Sequence, residues 1–228
     1  MRQLSKGKRR VAGLLGAGAM LIGGVGAPVL FTAGQASAAT CSPSCTITGT
    51  AALGTGTLTM TAPGSLTWTG AITGAALELP DLVATDEGFT VDDATGSSDG
   101  WTVSVAATQF TSTTPAATLP NSGTFSVNGS VGTATTGATP AAACTDGTGT
   151  CTLPDDTAIT YPVPVTTATT GTPLPSVIYQ AAAGSGLGSV DIGGSTSGAP
   201  VGWWLAVPDD AKAATYTSTV TISVASIP

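Results

Sequence analysis

From Trp101 to Thr108 the chain alternates in character. Trp101, Val103, Val105 and Ala107 fall on one side, and Thr102, Ser104 and Thr108 on the other. A period of two with one apolar face is what a half-buried strand requires, and it gives a helix no continuous apolar stripe. The tryptophan follows Gly100, where an acidic, Gly/Ser-rich loop beginning at Asp92 turns into the strand. The pattern returns near the C-terminus. Tyr216, Val220, Ile222 and Val224 share a face, and the opposing residues from Thr217 to Ser223 are all Ser or Thr.

Two such stretches constrain the fold because little else competes with them. Only 8% of the residues are charged, and 31 glycines and 15 prolines interrupt the chain. That composition leaves no room for an amphipathic helix of ordinary length, whereas Thr and Val suit a pleated surface and Gly and Pro punctuate turns. The expected fold is all-β: a single β-sandwich of immunoglobulin-like architecture with about ten short strands and Thr-rich outer faces. Strands are expected at 46–50, 57–61, around Leu66 and Trp68, and at 77–83, 89–91 and 101–108. Phe125 and Val127 mark another, with Asn128-Gly129 as a hairpin turn into Val131. The region 158–165 carries Pro162 and Pro164 and so reads as an edge strand. Further strands are expected at 176–179, 189–192, 201–207 and 216–225, with Thr/Pro-rich exposed loops at 111–120 and 166–175.

The N-terminus has a different character. Arg2, Lys6, Lys8, Arg9 and Arg10 precede an uncharged stretch, and Ala36-Ser37-Ala38 supplies small residues for cleavage. Residues 1–38 therefore read as a secretory signal peptide and 39–228 as one exported domain, with the export route left open. Beyond that leader a single lysine, Lys212, faces thirteen acids. Such a surface repels nucleic acid, and no membrane span is expected in the mature chain.

All four cysteines lie in the exported part. In an oxidising compartment they suggest two disulfides with three possible connectivities. The local pairs Cys41–Cys45 and Cys144–Cys151 are favoured, because a Pro-containing turn and an Asp-Gly turn can each close the Cα distance. Zinc would call for histidine or C-x₂₋₄-C pairs, and the chain has no histidine. The same absence removes the Ser-His-Asp and Cys-His arrangements. Adjacent acids such as Asp209-Asp210 cannot flank one glycosidic bond from a strand. No enzyme is expected, and no cofactor is required. Asp92, Asp93 and Asp99, around one Gly/Ser loop, are candidate calcium ligands, although turns favour Asp for backbone reasons alone. Leu119-Pro120-Asn121-Ser122-Gly123 looks like a sortase signal but stands mid-chain.

Two stretches carry a resemblance to a known family. Asp93-Ala94-Thr95-Gly96, followed by Gly100-Trp101-Thr102-Val103-Ser104-Val105 and Phe110, resembles the first motif of the WxL family of bacterial surface proteins. Trp204-Leu205-Ala206-Val207-Pro208, followed by the run from Ala214 to Val224, is similar to that family's closing motif. Val103 stands where the family has leucine, and Ile222 where it usually has tryptophan. The resemblance implies a secreted protein attached non-covalently to the wall of a Gram-positive bacterium, with peptidoglycan as ligand. Trp204, Trp101 and Tyr216 are the candidate ligand-binding residues. Trp101 and Trp203 share faces with aliphatic neighbours and read first as core. Trp204 points the other way, onto a Ser/Thr-rich face where an outward indole can stack on sugar. The alternative is a structural subunit of a surface or adhesive assembly, whose edges meet other surface proteins.

Overall fold

The computed structural model describes residues 51–135, 137–145, 151–155, 158–194 and 199–227. The candidate leader, the 46–50 strand and the Cys41–Cys45 pair lie outside these described residues. Residues 52–228 form one compact unit.

Among the described residues the chain is all-β, with fourteen strands rather than about ten. In order they are β1 (Leu58–Thr61), β2 (Leu77–Pro80), β3 (Gly88–Asp93), β4 (Trp101–Thr108), β5 (Thr111–Thr113), β6 (Ala116–Thr118) and β7 (Phe125–Asn128). There follow β8 (Ala142–Cys144), β9 (Val163–Val165), β10 (Thr167–Ala168), β11 (Ser176–Ala181), β12 (Gly188–Gly193), β13 (Gly202–Val207) and β14 (Val220–Ser226).

The alternating stretch becomes β4, with Trp101, Val103, Val105 and Ala107 fully buried. It is the centre of its sheet. β14 pairs along one edge, antiparallel, while β11 (antiparallel) and β10 (parallel) share the other. A second sheet runs β1-β3-β12-β8 and a third β2-β13-β7-β9, while β5 and β6 form a hairpin. The apolar faces of the three four-stranded sheets meet in a single core. Trp101 stacks on Tyr179 at 6.2 Å between ring centroids, and Phe125 on Trp203 at 6.3 Å. Each buried indole has a partner for its N–H: Trp101 donates to the Gly186 carbonyl at 2.9 Å and Trp203 to that of Asp86 at 2.7 Å. An unpartnered N–H in such a core would cost about 1–3 kcal/mol.

Several expectations need correction. The extra strands are short ones that alternation could not reveal: β5, β6, β8 and β10 have two or three residues each. The 111–120 stretch is thus the β5–β6 hairpin, and 166–175 contains β10. Asn128-Gly129 does not turn a hairpin. Asn128 ends β7 fully buried, its Nδ2 donating to the carbonyls of Thr133 and Ala134 while its Oδ1 accepts the Ala138 N–H. Its side chain therefore ties down a long loop. Leu66 and Trp68 form no strand; they lie in an irregular segment between β1 and β2. The proline-bearing β9 does lie at a sheet edge, as a strand lacking ladder donors must. Leu119 of the sortase-like motif is only 1% exposed and belongs to the core.

Candidate functional site

Alternation along β13 sends Trp203 into the core and Trp204 to the opposite face. Trp204 is nevertheless only 4% exposed. The loop tied down by Asn128 lies across it, and the Ser130 carbonyl accepts its indole N–H at 2.7 Å. The covering is tight: a Cβ at Gly202 would collide with that same carbonyl oxygen. What remains open beside Trp204 is a cleft of about 410 Å³, lined by Glu78, Pro80 and the loop residues from Val131 to Thr135. The expected outward tryptophan is thus a covered one, because a Ser/Thr-rich face says nothing about a loop that folds over it. Trp101 is enclosed completely.

The acidic residues of the Asp92 loop diverge. Asp92 is exposed and Asp93, its neighbour on β3, is buried, as alternation requires. Asp93 Oδ1 accepts the Thr95 N–H at 3.0 Å and the Thr95 hydroxyl at 2.6 Å, closing an Asx-type turn. Asp99 is exposed, and among the described residues no three His, Cys, Asp or Glu side chains are grouped to hold a metal ion. Cys144 and Cys151 form a disulfide with their Cα atoms 5.5 Å apart.

Tyr216 belongs to a second and larger concavity, a groove of about 1120 Å³. One wall is the irregular segment 62–72. The Asp81 carboxylate, only 1% exposed, accepts the N–H groups of Thr67 at 2.7 Å and Val83 at 2.9 Å. Trp68 donates its indole N–H to the Trp203 carbonyl at 3.0 Å, and the same oxygen accepts the Asp81 N–H at 2.9 Å. The Trp68 ring meets Phe110 and Phe125 edge-on at 5.6 and 5.7 Å. The segment is therefore held by the Asp81 side chain at its backbone and by its own Trp68 side chain against β13, with no sheet ladder among the described residues.

The opposite wall is the run from Lys212 to Ile222 that leads into β14. Here Tyr216 donates its hydroxyl to the Lys212 carbonyl at 3.0 Å, and the Ser218 hydroxyl donates to the Thr108 carbonyl at 2.6 Å. Leu77, Leu79, Phe110, Leu205 and Val207 also line the groove, together with Ser65, Thr67, Thr215 and Thr219. Among the described residues Lys212 is the only charged one lining it. Trp68 reads in the sequence as part of a strand and Lys212 as the lone lysine; neither carries a local signal of a place on a groove, since their partners lie 135 and 96 residues away.

Asp86, whose carbonyl accepts the Trp203 indole N–H, is buried, with its carboxyl held above the ordinary aspartate value. Burial is the main cause, the charge of Asp81 adds to it, and a hydrogen bond from Thr85 partly opposes both.

A family model described as WxL domain, surface cell wall-binding, matches residues 80–228. No curated protein and no solved structure matches the chain.

Proposed function

The chain belongs to the WxL family of cell-wall-binding surface proteins, and we propose that it binds peptidoglycan non-covalently in the groove between segment 62–72 and the run into β14. The groove itself carries this reading. It exceeds the ~300–1,000 Å³ of a typical small-ligand cleft. It also combines an apolar floor, three aromatic residues (Trp68, Phe110 and Tyr216) and many hydroxyl-bearing residues. Sugars offer apolar C–H faces to aromatic rings and hydroxyl edges to such polar groups, so an extended wall polymer matches both features. The cleft beside Trp204 and Glu78 is the smaller alternative on the same molecule.

The proposed protein is exported by its N-terminal leader, resides on the wall of a Gram-positive bacterium and catalyses no reaction. A chain without histidine lacks the Ser-His-Asp and Cys-His arrangements of nucleophilic catalysis.

Co-sedimentation with purified sacculi tests the binding. Wild type should pellet, and Trp68→Ala with Tyr216→Ala should remain in the supernatant while keeping a cooperative melting transition. Failure of wild type to pellet would refute wall binding, and pelleting of the double variant would remove the groove from it. A second reading, a subunit of a surface assembly, draws on β14, whose only strand partner among the described residues is β4. It would show as concentration-dependent oligomers in sedimentation velocity without added wall.

A further inference from the structure

We infer that the ligand of this groove bears a carboxylate, and that Lys212 is the residue that selects it. The inference rests on the groove being the wall-binding site, and adds the chemical class of what is bound. After Arg10 the chain has one cation and thirteen acids. That one cation lines the groove and none of the described acids does. In a chain so biased, an arrangement with a positive group and no negative one at the same concavity is the reverse of its surface elsewhere.

Lys212 is also built to be available. Its exposed ammonium donates one hydrogen bond, to the Ala116 carbonyl at 3.3 Å, and an ammonium has three N–H donors. Asp209 and Asp210, on the preceding turn, do not line the groove. The backbone beneath it is fixed, because the Lys212 carbonyl accepts the Tyr216 hydroxyl. The apolar floor beside it lowers the local dielectric and strengthens a charge pair formed there.

The rest of the molecule sharpens the selection. Its acids repel any polyanion at a distance, so an anion gains nothing by approaching another part of the surface. A carboxylate on an otherwise uncharged, extended ligand is repelled weakly and pairs with Lys212 once the floor is engaged. The free carboxylates of the wall's peptide stems, carried on neutral glycan, have this character. A phosphate polymer, charged at every repeat, does not.

The test uses the full chain and three preparations of sacculi: stripped of phosphate polymers with hydrofluoric acid, stripped and then amidated at the carboxylates with carbodiimide and glycinamide, and untreated. Wild type should bind stripped and untreated sacculi alike and lose about two- to fivefold in affinity on amidated ones. Lys212→Gln should show the same loss on stripped sacculi and no further loss on amidated ones, and Lys212→Arg should restore binding. Equal binding by Lys212→Gln and wild type to stripped sacculi would overturn the inference while leaving wall binding intact. Loss of wild-type binding on stripping would assign the ligand to phosphate and overturn it as well. No binding by wild type to any preparation would instead refute the wall-binding reading beneath it.

Discussion

Asp81 connects the fold to the groove, and its replacement has a calculable consequence. Its carboxylate accepts two backbone N–H groups, from Thr67 at 2.7 Å and Val83 at 2.9 Å, and is itself 1% exposed. Charge-assisted bonds of this kind contribute about 1.5–3 kcal/mol each when both groups are sealed from water. Thr67 and Val83 are exposed, so water can reach their N–H groups once the carboxylate is gone. Removing Asp81 also relieves the repulsion it exerts on Asp86. Both corrections lower the cost, and Asp81→Ala should destabilise by about 2 kcal/mol, or about 4–8 °C in Tm for a chain of this size. Asp81→Asn keeps one acceptor oxygen and should cost about half as much. Urea denaturation followed by tryptophan fluorescence gives the stability. Hydrogen exchange read at residues 66–69 shows whether segment 62–72 is released first. Wild-type stability in Asp81→Ala, or unchanged exchange at 66–69, would refute the claim that this carboxylate holds the groove wall.

Other outcomes follow from the same structure. Asp86 has a raised folded-state pKa, so its contribution favours folding below the unfolded value near 3.8 and is lost as pH rises through the higher folded value. Asp86→Asn should therefore melt higher than wild type at pH 7, with the advantage shrinking toward pH 4; a difference independent of pH would contradict this. Asn128→Ala removes three hydrogen bonds from a fully buried side chain and should cost about 3 kcal/mol, with Trp204 becoming accessible to an aqueous fluorescence quencher. Unchanged quenching would show that the loop covers Trp204 without that side chain. Replacing Cys144 and Cys151 with serine opens a short loop and should cost about 2.5 kcal/mol by chain entropy, measured by denaturation with and without the disulfide.

The sequence reveals strands where side chains alternate against a core, and conceals what is set by distant partners. β4, β12, β13 and β14 are legible because their apolar residues recur every second position and face one common core. The proline-marked edge is legible for a local reason as well, since a proline has no N–H to give a central ladder. Trp68 is different. A tryptophan two residues after a leucine looks like part of a strand, yet its conformation is set by the Trp203 carbonyl and by Asp81, which no local pattern connects to it. Trp204 shows the same limit from the other side. Its orientation follows from alternation, but its burial depends on a loop whose anchor, Asn128, carries the local signature of a tight turn. Of the candidate binding residues, Tyr216 is the one that lies on the groove, where it joins Trp68 and Lys212.

The measurement that bears most directly on the central claim is hydrogen exchange of the full chain with and without soluble wall fragments released from sacculi. Binding in the groove should slow exchange in segment 62–72 and in the run from Lys212 to Ile222, leaving residues 131–135 beside Trp204 unchanged. Slowed exchange at 131–135 with neither groove wall affected would contradict the account and move the site to the Trp204 cleft.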